Sequence, residues 1–180
     1  MRLLSIQPIY SSIFHFYMNK STDLDLNSAK DTISIALIRE ALSVAASQGL
    51  DILHIANQAG VSVELLSSTK ARVQVMQCAR LWIELAEHMN DEFLGMDLHP
   101  MRRGSYSLLA KLAFSAETLQ QAIQEILKFL SLVLDDIQGE LIQQGAKAYL
   151  ILHDREHPKR MFTYSTYLML VHSLMCWLSD

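Results

Sequence analysis

The chain has 180 residues, of which 51% are hydrophobic, and its formal net charge is −4 at pH 7. This length suffices for one domain with a sizeable hydrophobic core. The excess of acidic residues argues against a domain that holds DNA by itself, because such a domain presents a basic surface to the phosphates. Cys78 and Cys176 lie far apart and form no C-x-x-C pair, which is typical of buried thiols in a reducing cytoplasm.

The first 28 residues are predicted to form an N-terminal arm and loop, and residues 29–180 the folded domain. Gln7, Pro8 and His15 interrupt the apolar run at the start of the chain. The segment therefore lacks the continuous apolar core of a signal peptide. We expect the arm to stay with the mature protein and to pack on the domain or on a second copy.

Three helices are predicted before residue 70. A long helix over residues 29–48 is indicated by its helical spacing of apolar residues, and Gly49 follows where a left-handed residue can close it. Asp51 and Ser62 are predicted N-caps of two short helices, the first of which ends near Gly60. The apolar positions of the long helix are Ile33, Leu37, Ile38, Ala41, Leu42 and Ala45.

Residues 50–72 also show the pattern of a helix-turn-helix, because Gly60 and Val61 fall where its turn would lie. A recognition helix beginning near Val63 would present Glu64 and two leucines in place of side chains that read base edges. The sequence therefore favours a helix-turn-helix packed inside the domain. Direct DNA binding by this segment, as in a repressor, is the alternative.

Two amphipathic helices are predicted in the middle of the chain. One covers residues 75–89, with Ala79, Trp82 and Ala86 on its apolar face. After an apolar segment over residues 105–113, Ser115 is the predicted N-cap of the other helix, because its hydroxyl can accept from a first-turn amide. The apolar stripe of that helix is Leu119, Ala122, Ile123, Ile126, Leu127, Leu130 and Val133.

The periodicity changes after Asp136 from helical to that of strands. Residues 137–143 and 146–153 predict a hairpin around Gln144-Gly145, where the glycine supplies a positive φ. The predicted fold class is α+β, predominantly helical with a small antiparallel β-sheet that contains this hairpin near residues 137–153. An isolated hairpin is marginally stable, so its strands are expected to pair with further strands, from the other end of a longer chain or from sequence beyond Asp180.

The segment 161–179 contains no formally charged side chain and follows Lys159-Arg160, as a membrane anchor would. A spanning helix needs about 20 predominantly apolar residues. Thr163, Thr166 and His172 dilute this run, so a buried helix is favoured over a membrane span.

The sequence gives little support for a metal site or for catalysis. His153, Asp154, Glu156 and His157 lie in a predicted loop, where they indicate a charged surface, and no partner residues are evident for a pair made by His172 and Cys176. No nucleophile, phosphate-loop or zinc-protease motif occurs. No enzyme activity, catalytic residue, metal or cofactor is therefore predicted.

A small-molecule pocket between the hairpin and the helices is predicted instead. Such pockets are mainly apolar with a few polar groups, so bulky side chains with a polar or adaptable tip are candidates to line it. Arg102 and Arg103 could bind an anionic ligand. The other candidates are Tyr106, Phe129, Tyr149, Tyr164, Tyr167, Met169 and His172.

The order of these elements resembles a known family. The segments ALIREALSVAASQGLD (36–51), NQAGVSVELLSS (57–68) and NDEFLGMDL (90–98) precede a glycine, the Leu119 helix and the hairpin, at matching spacing. Together they are similar to the N-terminal effector-sensing domain of AraC-type transcriptional regulators, in the group labelled arabinose-binding-like. The resemblance covers roughly residues 36–180. A complete family member continues into two basic helix-turn-helix units, whereas this sequence stops at Asp180.

The resemblance implies a bacterial, cytoplasmic regulatory domain that binds a small-molecule effector. It also implies that the domain forms a homodimer and does not associate with a membrane. DNA would be bound only through the C-terminal domain that this sequence lacks. Besides the DNA-binding alternative above, a dimerisation module that senses no ligand is the other function left open.

Overall fold

The computed structural model describes residues 32–179, so the predicted arm over residues 1–28 lies outside the described residues. Helices dominate this part of the chain, and two small antiparallel sheets complete it, which confirms the predicted α+β class. In chain order the elements are β1 (Thr32–Ser34), α1 (Ile35–Ser47), α2 (Ile52–Gln58), α3 (Val63–Ser67), β2 (Arg72–Gln74), α4 (Val75–Met89), α5 (Ser105–Phe114), α6 (Leu119–Val133), β3 (Ile137–Gln144), β4 (Lys147–Asp154) and α7 (Met161–Ser179).

The first helix is shorter than its apolar pattern predicts. Residues 32–34 form strand β1, which pairs with β2 so that Ile33 lies opposite Val73. Both side chains are buried. Ser34 then caps α1, because its hydroxyl accepts from the Ala36 amide at 3.3 Å. The helix prediction was wrong over residues 32–34, since pairing with a strand distant in sequence decides their conformation.

The short helices and α4 follow the sequence closely. Asp51 caps α2 by accepting from the His54 amide at 3.0 Å, and Ser62 caps α3. Gly49 has a φ of +78°, as the closure of α1 requires. The bounds of α4 are the predicted ones. These predictions are confirmed.

The N-cap of α6 was predicted at the wrong residue. Helix α5 extends to Phe114, and Ser115 ends it, with its hydroxyl donating to the Leu112 carbonyl at 2.7 Å. Thr118 caps α6 instead and accepts from the Gln121 amide at 3.2 Å. A serine and a threonine both stood before the helix, and the length of α5 decided between them.

Strands β3 and β4 form the predicted hairpin, in register from Ile137 opposite Asp154 to Gln144 opposite Lys147. The two turn residues are Gly145 and Ala146, one position later than predicted, and Gly145 has a φ of +61°. Within residues 32–179 the hairpin pairs with no further strand. Helix α6 packs along β3 and provides the support that the hairpin needs.

Helix α7 links the two halves of the described fold. Near its start, the ring of Phe162 lies 5.8 Å from that of Trp82 on α4. Near its end, Trp177 lies 3.9 Å from Phe114 on α5, measured between ring centroids. Between them it packs on α6. Among the described residues no helix is both long and apolar enough to span a membrane.

Two buried acidic residues organise the loop between α4 and α5. The Asp91 carboxylate accepts from the amides of Phe93 and Met101 at 2.9 and 2.8 Å, and from Gly95 at 2.6 Å. The Glu92 carboxylate accepts from the amides of Gly104 and Tyr106 at 2.8 and 2.7 Å, at the start of α5. Both residues are at most 5% exposed. The two carboxylates therefore accept the hydrogen bonds of backbone amides in this loop, and they hold the loop in place.

Burial raises the pKa of the Glu92 carboxyl, and its bonds to the two amides and the nearby Arg103 act in the opposite sense. A group with a raised pKa in the folded state contributes stability that is fully present below its unfolded pKa, about 4, and is lost as pH rises through the raised value. We therefore expect the free energy of unfolding of the wild-type chain, relative to Glu92→Gln, to fall with rising pH above about 4. Urea denaturation of both chains over a pH series measures this difference. A difference that grows with pH would contradict the assignment.

Candidate functional site

Three of the predicted ligand residues lie inside the described fold. Tyr106, Tyr167 and Met169 are at most 5% exposed. The Tyr106 hydroxyl is hydrogen-bonded to that of Ser173 on α7. The Tyr167 hydroxyl has no hydrogen-bond partner among the described residues. Burial raises the pKa of Tyr167 to about 12.

The other predicted residues are spread over the surface. Arg102 and Tyr149 are exposed, and Phe129 is partly buried. Arg103 is paired with Glu87 at 2.6 Å. The Tyr164 hydroxyl donates to Asp154 at 2.6 Å and accepts from the Lys159 amide at 2.7 Å. His172 lies 3.6 Å from the thiol of Cys176.

The structure does not gather these residues around one of its described clefts. None of the three clefts described below is lined by Arg102, Arg103 or the seven other candidates. Ligand contact by those residues stays a prediction. The clefts themselves point to a different set of side chains.

Two of the clefts lie between α1 and the start of α7 and share Arg160 and Phe162 as walls. We call the larger the Leu37 cleft; its volume is about 540 Å³. We call the smaller the Thr163 cleft; its volume is about 350 Å³. The Leu37 cleft is lined by Ala36, Leu37, Glu40, Arg160, Met161, Phe162 and Ser165. The Thr163 cleft is lined by Ser43, Val44, Ser47, Gly95, Met96, Pro158, Lys159, Arg160, Phe162 and Thr163.

Arg160 stands where these two clefts meet. Its guanidinium is paired with the carboxylate of Glu40 and donates to the Ser43 hydroxyl at 3.3 Å, both on α1. The preceding Lys159 is paired with Asp136, at the base of the hairpin, at 2.7 Å. Two cationic side chains in succession thus connect the start of α7 to α1 and to the hairpin.

Sequence reasoning noted Lys159 and Arg160 only as the flank of an apolar helix. A usable signal was present, because basic residues directly before a helix oppose its positive N-terminal dipole and are unusual there. An acidic or hydroxyl-bearing cap is the common choice at that end. The basic residues Lys159 and Arg160 depart from this pattern because their acidic partners lie on other elements of the fold.

The third cleft, the Gln124 cleft, lies between α6 and β3 and has a volume of about 400 Å³. Gly139 and Leu127 form part of its wall, and Gly139 also adjoins Tyr167. The lining residues are Gln124, Leu127, Lys128, Ser131, Gln138, Gly139, Glu140 and Leu141. Half of these residues are long polar side chains, so the Gln124 cleft ranks behind the other two as a candidate small-molecule site.

The segment with the helix-turn-helix pattern is built into the domain. Helix α3 has five residues, Val63–Ser67, which is short for a helix that reads a groove of DNA. Arg39 of α1 donates to the carbonyls of Leu66 and Ser68 and holds the end of α3. Ala56 and Val61 are buried. This packing favours the interpretation as an internal helix pair.

The predicted histidine-rich loop is partly strand, because pairing with β3 makes His153 and Asp154 the last two residues of β4. His153 is paired with Glu140 on the neighbouring strand at 2.8 Å, and Asp154 accepts from Tyr164. Among residues 32–179 no group of three or more histidine, cysteine or acidic side chains could hold a metal ion.

Comparison with known proteins identifies the family. The family model described as the arabinose-binding domain of AraC transcription regulators, N-terminal, matches residues 49–180. The match covers well over half of the chain, so the chain belongs to this family. The family is one of regulatory sensing domains and is not a known class of enzymes. No curated protein and no solved structure matches the chain significantly.

Proposed function

We propose that this chain senses a small-molecule effector in the pair of clefts between α1 and α7, and thereby controls DNA binding by a C-terminal domain of the same regulator. Two observations together support the proposal. The chain matches a regulatory family, and two of its clefts adjoin at Arg160 and Phe162. Their volumes fall in the range of small-molecule sites, about 300–1,000 Å³. Both clefts also combine apolar lining residues with polar ones, as small-molecule sites do.

The contacts around the clefts supply a route from effector to output. Lys159 holds Asp136 at the start of β3, and Asp97 in the α4–α5 loop accepts from the amides of Asp135 and Asp136 at 2.8 Å. An effector bound between α1 and α7 would lie next to Lys159 and could change its contact with Asp136. It alters the output only if it binds one arrangement of these elements better than another.

A thermal-shift screen with amino acids, fatty acids and sugars tests the sensing function. A ligand at a concentration 100-fold above its dissociation constant should stabilise the chain by about 2.7 kcal/mol. For a chain of this size we expect the Tm to rise by about 5–10 °C. If no compound of the panel raises the Tm, the proposal loses its main support.

Three tryptophan variants then locate the site, because each fills one cleft from an exposed position. Ala36→Trp fills the Leu37 cleft, Ser47→Trp the Thr163 cleft, and Ser131→Trp the Gln124 cleft. We expect the first or the second variant to abolish the shift and Ser131→Trp to retain it. Loss of the shift in Ser131→Trp alone would keep the sensing function and move the effector to the Gln124 cleft.

A further inference from the structure

We infer that the effector is a small carboxylate with an apolar body, held in the Thr163 cleft by Arg160 and the first turn of α7. This inference rests on the proposed function, which places a ligand between α1 and α7. It adds the chemical class of the ligand and the residues that select it.

The charges around the Thr163 cleft favour an anion. Lys159 and Arg160 are in its lining, whereas none of its lining residues is acidic. Glu40, which is paired with Arg160, lines the Leu37 cleft instead. A ligand in the Thr163 cleft therefore meets two cationic side chains and no carboxylate of the lining.

The start of α7 supplies further donors. The amides of Thr163 and Tyr164 donate to the Arg160 carbonyl at 2.9 and 3.4 Å. The amides of Met161 and Phe162 have no acceptor within the described part of the chain. The first turn contains no acidic residue. Free amides at the positive end of a helix are a general site for carboxylates and other anions.

Thr163 provides an independent observation. Its side chain lines the cleft and is only 4% exposed. No residue from 32 to 179 makes a hydrogen bond with its hydroxyl. A ligand oxygen in the cleft is therefore a partner that this hydroxyl can take.

Arg160 is available for exchange. The side chains of Arg160 and Glu40 are 56% and 46% exposed, and an ion pair in such a position contributes little to stability. A ligand carboxylate can therefore take the guanidinium from Glu40 at low cost and accept two hydrogen bonds from it. The same exchange removes one contact between α1 and the residue that precedes α7, which couples binding to a change at this junction.

The other walls specify the rest of the ligand. Val44, Met96 and Phe162 form an apolar side of the cleft. The volume of about 350 Å³ admits a ligand of modest size. An apolar chain or ring attached to the carboxylate matches these walls.

Hexanoate, with hexanamide and hexanol as neutral matches, tests the inference on the full chain at pH 7. Amide NMR titration should show hexanoate binding in about the millimolar range, because it has few atoms. The shifts should centre on Met161, Phe162 and Thr163, and the neutral probes should bind at least about tenfold more weakly. Absence of these shifts at about 20 mM hexanoate would overturn the inference, as would equal binding of hexanamide.

Four variants separate the contributions. Arg160→Gln should weaken hexanoate binding about tenfold or more and Thr163→Val a few-fold, while Glu40→Gln should tighten it by freeing Arg160. Arg80→Gln removes the same charge from an exposed position of α4 that lines none of the three clefts, and it should leave binding unchanged. Thermal melts confirm that each variant folds. Equal binding by Arg160→Gln and the wild-type chain overturns the inference.

The proposed function can survive this failure. A neutral effector whose thermal shift is abolished by Ala36→Trp or Ser47→Trp would support sensing between α1 and α7 and overturn the carboxylate assignment. Hexanoate binding that Ser47→Trp leaves intact would place the anion elsewhere and overturn the assigned site.

Discussion

Replacing Asp91 by alanine is expected to lower the free energy of unfolding by about 3–5 kcal/mol. The substitution leaves the amides of Phe93, Gly95 and Met101 without their acceptor. Phe93 and Met101 are fully buried, so water cannot replace the carboxylate there without opening the loop. Because a whole domain has a stability of about 5–15 kcal/mol, this one change should bring the chain close to unfolding.

Urea denaturation measures the effect, and Asp51→Ala is the matched control. Asp51 also accepts from an amide, that of His54, but at an exposed N-cap. Its loss should cost about 1 kcal/mol. If both variants lose the same stability, the buried network around Asp91 does not hold the loop as described.

Replacing Gly139 by alanine is expected to cost about 2–3 kcal/mol, because the new Cβ has no room. It would lie 2.6 Å from Cδ2 of Leu127 and 2.6 Å from the hydroxyl oxygen of Tyr167. Leu127 is 6% exposed and Tyr167 fully buried, so neither can move aside freely. The glycine lets the hairpin approach α6 and α7 closely, and the substitution should push it away.

Tyr167→Phe provides the test by a double-mutant cycle. Alone it removes a hydroxyl that has no partner among the described residues, so it should be neutral or slightly stabilising. Combined with Gly139→Ala it removes one of the two clashing atoms and should recover about 1 kcal/mol. Strictly additive effects would argue against the contact.

Gly145→Ala separates steric conflict from backbone conformation. Nothing lies within 4 Å of a Cβ at Gly145, but its φ is +61°. We expect a cost of about 1 kcal/mol from the left-handed conformation alone, with no response to Tyr167→Phe. The two glycines of the hairpin therefore serve different ends, one in packing and the other in the turn.

Helix α7 contacts both the two clefts and the hairpin. Its first turn borders both clefts, and Tyr167 in its middle adjoins the hairpin at Gly139. An effector that displaces Glu40 from Arg160 would change the contact between the start of α7 and α1. The Lys159–Asp136 pair is the direct connection from there to the hairpin.

Local sequence signals are enough to locate several of the helices and the hairpin. The bounds of α4, the caps of α2 and α3 and the hairpin follow from residues a few positions apart. Helical periodicity and N-capping act within about one turn, so a single sequence contains them in full. The order of these elements also carried the family resemblance.

The contacts between distant segments depend on tertiary packing and could not be predicted from local patterns. The pairing of β1 with β2 turned the predicted start of α1 into a strand, and the Asp91 and Glu92 network emerged from the course of the loop. The predicted ligand residues were chosen by chemical type, and the described clefts are lined by others. Arg160 and Glu40 are 120 positions apart in sequence. Their meeting depends on how α1 and α7 pack, which no local pattern records.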